Sequence, residues 1–322
     1  MHSLREYFQG VLPRIDACLN EEIEALNPVV RPVAAHILQA GGKRFRPLLC
    51  ILTAEGLGYR GEGILPLASS LELIHSATLL HDDVLDKAEQ RRGRTAAHLA
   101  YGVTETILAG DALLALANRI VTDYGRVELV SCVSEAIYQT ATGEIMEIQR
   151  MRQPSLTLQE YLEIIVGKTG YLIQTACQSG AILAGCSPKQ LEAARTFGLN
   201  LGIAFQLVDD ALDYASGDNA TGKPLGGDLR EGKLTMPLIF FLQTLRDGRK
   251  RDLLAKIKDR QLTDDEQGWI LQRIHDLELC QKTRNHAQSY LERSAAALAS
   301  FPESAERDLL NQVLDYIKDR EH

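Results

Sequence analysis

The sequence predicts an all-α protein, and three observations carry that prediction. Apolar residues recur at spacings of three and four rather than two along most of the chain, as one face of a helix requires. The segments that show this spacing are rich in Ala, Leu, Glu, Gln and Arg, which lose little on entering a helix. Helix-start signatures also recur: Thr157 with Glu160, Ser187 with Gln190 and Pro188 at the first helical position, and Thr263 with Glu266. No run alternates well enough to be read as a strand.

Breakers at Asn27-Pro28, Gly41-Gly42, Gly56 to Gly63, Gly217 to Gly232 and Pro302 punctuate the helical segments. None is a long linker, so residues 1–322 are expected to form a single domain, although the length alone would allow two. Leu67 to Asp86 is the clearest helix, with Ile74, Thr78, Asp82 and Asp86 repeating every four residues along one face. A second long helix is expected from Pro188 to about Tyr214, on which Gln206, Asp209 and Asp213 share a face.

With 45% hydrophobic and 24% charged residues the composition is that of a soluble globular protein. A formal net charge of −8 argues against a general nucleic-acid or anionic-membrane binder, so anionic substrates would need local basic clusters. The six cysteines (Cys18, Cys50, Cys132, Cys177, Cys186 and Cys280) form no C-x-x-C pair and suit a reducing compartment. The first residues lack a basic stretch followed by an apolar one. The longest uncharged run, Thr169 to Pro188, is interrupted by Gln174, Gln178, Ser179 and Gly180, so no transmembrane segment and a cytoplasmic location are expected.

The chemistry sits at the ends of the two long helices. The first ends Asp82-Asp83-Val84-Leu85-Asp86 and the second Asp209-Asp210-Ala211-Leu212-Asp213, so both spell D-D-x-x-D. The outer carboxylates of each are one turn apart and repel unless a cation lies between them. Magnesium fits, as a hard ion that shares its oxygen ligands with water and substrate phosphates. A solvated helix end is the plain alternative for one such motif alone. Against it stand the apolar residues before each motif, because unpaired carboxylates beside buried faces are costly.

Basic elements that could meet a diphosphate are Gly41-Gly42-Lys43-Arg44-Phe45-Arg46-Pro47, Arg91-Arg92-Gly93, Lys168-Thr169, Gly222-Lys223 and Gly232-Lys233. Each alone is more often a surface charge, and no Walker loop is present. Their joint occurrence with the aspartate motifs carries the argument.

These elements, with His75, Gly110-Asp111 and Gln206, stand in an order and spacing that resembles the trans-type isoprenyl diphosphate synthases of the polyprenyl synthase family. The likeness covers nearly the whole chain and is nearest to bacterial long-chain, octaprenyl-type members. It implies the isoprenoid synthase fold, a bundle of roughly a dozen helices around a central substrate cavity, and a homodimer. It implies three Mg2+ ions held by Asp82, Asp86 and Asp209, with Asp83, Asp210 and Asp213 tuning or completing that cluster. Arg91, Lys168, Lys233 and Lys223 would support the allylic prenyl diphosphate, with Thr169 and Gln206 also among the substrate-binding residues. Lys43, Arg46, His75 and Arg92 would take isopentenyl diphosphate. The C-terminus lacks the Arg-x-Lys tail of some farnesyl-type members and receives no role, while His81, His98 and Asp111 are read as structural.

Chain length is expected to be set below Asp82. Ala77, Thr78 and Ile74 lie one to two turns deeper on the same helix, where small residues leave room for a growing chain. Leu113, Leu116 or Tyr138 could close the tunnel, Tyr138 being the most able to shorten it. A medium-to-long, octaprenyl-like, lipid-soluble product follows, with geranylgeranyl or farnesyl length as the alternative. A terpene cyclase and a non-catalytic partner subunit are the rival readings. The two intact aspartate motifs speak against both.

Overall fold

The computed structural model describes residues 3–151, 156–215 and 225–320. Helices α1 (Leu4–Glu24), α2 (Arg31–Leu38), α3 (Phe45–Gly56) and α4 (Ile64–Leu85) lead into a two-stranded antiparallel ribbon, β1 (Gln90–Arg91) and β2 (Arg94–Thr95). Then come α5 (Ala97–Tyr101), α6 (Val103–Thr122), α7 (Val127–Met151) and α8 (Leu158–Ile165), which passes through a π-helical turn, Val166–Gly170, into α9 (Tyr171–Ala184). The long α10 (Pro188–Asp213) follows, then α11 (Gly227–Glu231), α12 (Met236–Gln243), α13 (Asp247–Lys258), α14 (Asp264–Asp276), α15 (Leu279–Leu298) and α16 (Ala305–Lys318). The fold is all-α, as the spacing predicts. Among the described residues no helix is long and apolar enough to cross a membrane.

The residues gather into two compact units. One comprises Met1–Ile137, Thr175–Arg195 and Ala299–Leu310, and the other Tyr138–Gln174, Thr196–Leu298 and Asn311–His322. In the first, α4 is buried on nearly every side through Leu67, Leu71, Leu73, Ile74, Ala77 and Leu80. A helix that is apolar all round belongs inside, and this one carries the first aspartate motif to its exposed end. It starts three residues before the expected Leu67 and closes with Asp86 as its C-cap rather than within the helix. Gly110 lets α6 approach it, since a Cβ there would lie 2.3 Å from Nε2 of His81. His81 itself meets the Ile107 carbonyl at 3.0 Å and Asp111 at 3.6 Å, the packing role expected of both side chains.

In the second unit α10 buries Phe197, Leu201, Ala204, Leu207, Val208 and Ala211, and Ser294 of α15 bonds the Phe197 carbonyl at 3.0 Å. The predicted caps are present: Thr157 and Thr263 form capping boxes with Glu160 and Glu266, and the Ser187 amide donates to Gln190 at 3.0 Å. A further box, Ser3 with Glu6, starts α1.

The ribbon departs from the sequence reading, which offered no strand. Two residues per strand are too few to show alternation. The signal lies in the turn, where Arg92 (φ 52°) and Gly93 (φ 74°) both take positive φ, as a two-residue type I′ hairpin demands.

Helix α9 crosses α3 so closely that a Cβ on Gly180 would stand 2.3 Å from the Cys50 carbonyl oxygen. Backbone cannot swing aside as a side chain can, so Gly180→Ala is expected to destabilise by about 1–3 kcal/mol, the usual cost of overpacking. Thermal circular dichroism checks this, and an unchanged melting temperature would show that the two helices separate freely.

Candidate active site

At the end of α4 the three aspartates divide by environment. Asp82 and Asp86 are half-buried, whereas Asp83 is fully buried and accepts from Nε of Arg91 at 2.8 Å and from its Nη2. Arg91 is on β1, so the ribbon turns the chain back and returns a cation to the helix it has just left. The same turn presents Arg92 to the Gly41-Gly42 loop, where Nη1 donates to the Gly41 carbonyl and a Cβ on Gly42 would lie 2.8 Å from that nitrogen. A side chain at 42 would displace the guanidinium.

Two steps from the loop, Arg44 differs from the other cations of its motif. It has φ 41° and 5% exposure, and it spends its donors on Asp16 (2.9 Å), Glu72 (3.0 Å) and the Leu38 carbonyl (2.6 Å). Its inclusion among the phosphate-facing cations is therefore corrected: it holds the loop to the core. Lys43 is exposed, and Arg46 is half-buried with its Nε lacking a hydrogen-bond partner among the described residues. Burial, reinforced by Arg92 and opposed by Glu72, pushes Arg46 down to about 10, so it stays cationic at neutral pH. Around His75 four guanidinium groups act together. Burial first, then Arg46, Arg92, Arg91 and Arg44, hold its imidazole well below the ordinary range. It is a neutral hydrogen-bonding group in a field that attracts anions.

At the end of α10 a continuous chain of polar side chains organises the second motif. Thr169 donates to Gln206 Oε1 (2.8 Å), the Gln206 amide donates to Asp210 Oδ1 (2.8 Å), and the Tyr161 hydroxyl donates to Asp210 Oδ2. Burial pushes Asp210 up to about 7 against these two bonds, with Asp209 adding to the rise. Asp213 accepts the backbone amides of Gly227 (3.1 Å) and Asp228 (3.0 Å), which ties the start of α11 to the end of α10. Asp209 is the carboxylate left turned outward, 48% exposed, with Arg320 at 2.9 Å. Lys168 is lifted off the regular helix by the π-turn, a feature that often marks functional positions. Its Nζ lies between Glu144 (2.8 Å) and Glu147 (2.5 Å), and although burial works against its charge, these carboxylates raise its pKa. Lys233 pairs with Glu231 at 2.6 Å.

The structure thus brings Asp83, Arg91, Arg92 and the Gly41-Gly42 loop together in one unit, and Thr169, Gln206, Asp210 and Asp213 in the other. Lys223 lies outside the described residues. Ile74 and Ala77 are wholly buried beneath Asp82, as are Leu113 and, nearly so, Leu116. The Thr78 hydroxyl donates back to the His75 carbonyl at 2.8 Å. Tyr138, by contrast, is 63% exposed. Residues that sequence reasoning missed are Glu72, Glu144, Glu147, Tyr161, Asp228 and Arg320. Of these only the Glu144 and Glu147 pair, three apart on one helix, left a readable trace.

The donor set suits a hard divalent ion. Burial lifts the carboxyl groups of Asp228, Asp210 and Asp213, against the hydrogen bonds that Asp210 and Asp213 accept, and an arriving cation would favour their charged forms. Among the described residues no three His, Cys, Asp or Glu side chains form a metal cage. Asp82 and Asp86, half-buried, and Asp209, exposed, are the carboxylates of the two motifs that would suit an ion taking one or two protein oxygens and completing its shell with water and phosphate.

Comparison with known proteins agrees with this geometry. The polyprenyl synthetase family model matches residues 27–274. Octaprenyl diphosphate synthase of Escherichia coli is 32% identical over 92% of this chain and 91% of its own, and geranylgeranyl diphosphate synthase of Methanosarcina mazei is 33% identical over 96% and 95%. A crystal structure of polyprenyl synthase from Caulobacter crescentus, complexed with calcium and isoprenyl diphosphate, superposes with a TM-score of 0.92 at 33% identity, covering 99% of this chain and 97% of that one.

A neutral His75 has a measurable consequence. In the unfolded chain the imidazole takes a proton near pH ~6.5, whereas in the fold it resists to well below that value. Between the two the unfolded state binds more protons, so this contribution is complete above about pH 6.5 and is lost as pH falls. Urea unfolding at neutral and mildly acidic pH should show that loss in the native chain and less of it in His75→Gln. Equal slopes would assign the acid sensitivity to other groups.

Proposed function

The chain belongs to the polyprenyl synthetase family and is a prenyltransferase, and from that premise we propose that it condenses isopentenyl diphosphate with an allylic prenyl diphosphate, head to tail and repeatedly. The product is an all-trans polyprenyl diphosphate, and pyrophosphate is released at each step. The observation that carries this reading is that the protein fixes the middle aspartate of each motif: Asp83 by Arg91, beside the His75 cluster, and Asp210 by Tyr161 and by Gln206, which Thr169 holds in turn.

Asp82, Asp86 and Asp209 would hold magnesium, three ions in all. When bound, the metal neutralises charge on the departing diphosphate and lowers the barrier to breaking its bond to carbon. The calcium in the Caulobacter crescentus relative supports a divalent ion. The remaining work belongs to the chain. Lys43, Arg46, His75 and Arg92 orient isopentenyl diphosphate, and because His75 is neutral it contributes a hydrogen bond rather than a charge. Arg91, Lys168, Lys233 and Lys223 support the allylic group. Arg91 enters already aligned by Asp83, and Lys168 by two glutamates, so little ordering remains when substrate arrives. The apolar walls at Ile74 and Ala77 keep water from the allylic cation. Proton loss to the released pyrophosphate completes each addition.

We assign a medium-to-long, octaprenyl-like product, with geranylgeranyl length as the alternative. Small residues at Ala77 and Thr78 beneath Asp82 support it. A homodimer is supported by the apolar side chains exposed along α5 and α6, Leu99, Val103, Ile107 and Leu108. An obligate interface of this kind commonly buries over ~2,000 Å². The six free thiols suit the reducing cytoplasm.

Three measurements check these statements. Asp82→Ala and Asp209→Ala should each lower pyrophosphate release from isopentenyl and farnesyl diphosphates with Mg2+ by orders of magnitude at unchanged helicity, and near-normal turnover in both would exclude the mechanism. Mass spectrometry of products from Ala77→Tyr/Thr78→Phe should show shorter chains than wild type, and an unchanged distribution would place the floor elsewhere. Light scattering at micromolar concentration should give twice the chain mass.

A further inference from the structure

The last residues of the chain's final helix reach the second aspartate motif. Helix α16 ends at Lys318, and Arg284 of α15 then holds the tail by its backbone, donating Nη2 to the Arg320 carbonyl at 2.8 Å and Nη1 to that of Lys318 at 3.4 Å. With its main chain so fixed, Arg320 sends its own guanidinium to Asp209, with Nη2 and Oδ1 at 2.9 Å. The guanidinium carbon lies 5.0 Å from the centre of the Phe205 ring, one turn earlier on α10. The Arg320 side chain is only 14% exposed while Asp209 is 48% exposed, so the guanidinium is a held and stacked group beside a partly open carboxylate rather than a floating surface contact.

The choice of partner matters. Asp210 is engaged by Tyr161 and Gln206, and Asp213 by two backbone amides. Asp209 is the carboxylate of the motif that faces outward, and Arg320 covers it. We propose that Arg320 is a resident counter-ion that holds Asp209 closed to a divalent cation until a diphosphate is present to receive the guanidinium. The inference rests on the reading of Asp209 as a metal ligand.

A magnesium ion arriving alone must displace a hydrogen-bonded guanidinium and also give up tightly held water. A diphosphate changes that balance, since it offers the planar guanidinium two oxygens at once, a partner at least as good as one carboxylate. Metal and diphosphate therefore load together at Asp209, each favouring the other, as reciprocal linkage requires. Premature metal binding without substrate is suppressed, and the tail moves only when both are present.

The test uses the full chain and Mn2+ as probe, with binding followed by loss of the free-ion electron paramagnetic resonance signal in the absence of substrate. Arg320→Ala should bind Mn2+ on the order of threefold to tenfold more tightly than wild type, and Asp209→Asn should lose that site. Arg284→Ala, which frees the tail backbone but keeps the Arg320 side chain, should shift affinity in the same direction by less. Hydrogen exchange in the unaltered chain gives a reading that no variant can confound: amides of residues 317–320 should exchange faster with Mn2+ plus inorganic pyrophosphate, and not with Mn2+ alone. If Asp209→Asn binds Mn2+ as wild type does, Asp209 is not a ligand and the underlying reading fails with the inference. If Asp209→Asn loses the site while Arg320→Ala leaves affinity unchanged and the tail exchanges alike in all conditions, the counter-ion role alone is overturned.

Discussion

A carboxylate at the end of a buried helix must be given a partner, and the architecture around both aspartate motifs follows from that requirement. Helices α4 and α10 are among the most enclosed elements of their units, yet each ends in three acidic side chains. In each motif the middle carboxylate is buried and bonded by the protein, Asp83 at one oxygen by Arg91, and Asp210 by Tyr161 and Gln206. Asp82 and Asp86 are half-buried and Asp209 is exposed. Neighbouring residues on the same helix thus differ in how far they are enclosed.

Cations are placed by a different device, the close approach of backbone. Arg92 lies against a loop with no side chain at Gly42. Lys168 follows Gly167, whose own Cβ would stand 2.9 Å from Gly143, and a Cβ on Gly143 would in turn lie 2.5 Å from the Lys168 amide nitrogen. On the other flank, Gly202 of α10 meets Gly170 with a hypothetical Cβ at 2.8 Å. The π-turn is therefore wedged by glycines, and Lys168 and Thr169 are directed by main-chain geometry that no longer side chain could relax.

Much of this was legible in the sequence because it rests on local rules. The helical period, the capping pairs at Thr157, Ser187 and Thr263 and the position of each D-D-x-x-D motif need only near neighbours to be read. What stayed hidden depends on residues far apart in the chain. Nothing near Arg44 tells that its partners are Asp16 and Glu72, so it looked like its neighbours Lys43 and Arg46. Tyr161 gave no hint of Asp210, and a two-residue strand such as Gln90–Arg91 has no period to detect. Helical spacing likewise fixes which residues share a face but not whether that face is inside, so the 63% exposure of Tyr138 could not be read in advance.

The π-turn also bears on how such a chain can change over generations. A π-turn is one residue more than the surrounding helix needs, and it joins α8 to α9 without a break. Substitutions within it leave the count intact. Because the wider turn absorbs that residue, deleting it would restore a regular helix with α8 and α9 still in phase, and would move Lys168 and Thr169 off the positions the turn gives them. Drift at this point is therefore limited twice over, by the residue count that offsets Lys168 and by the glycines that leave no room for a side chain.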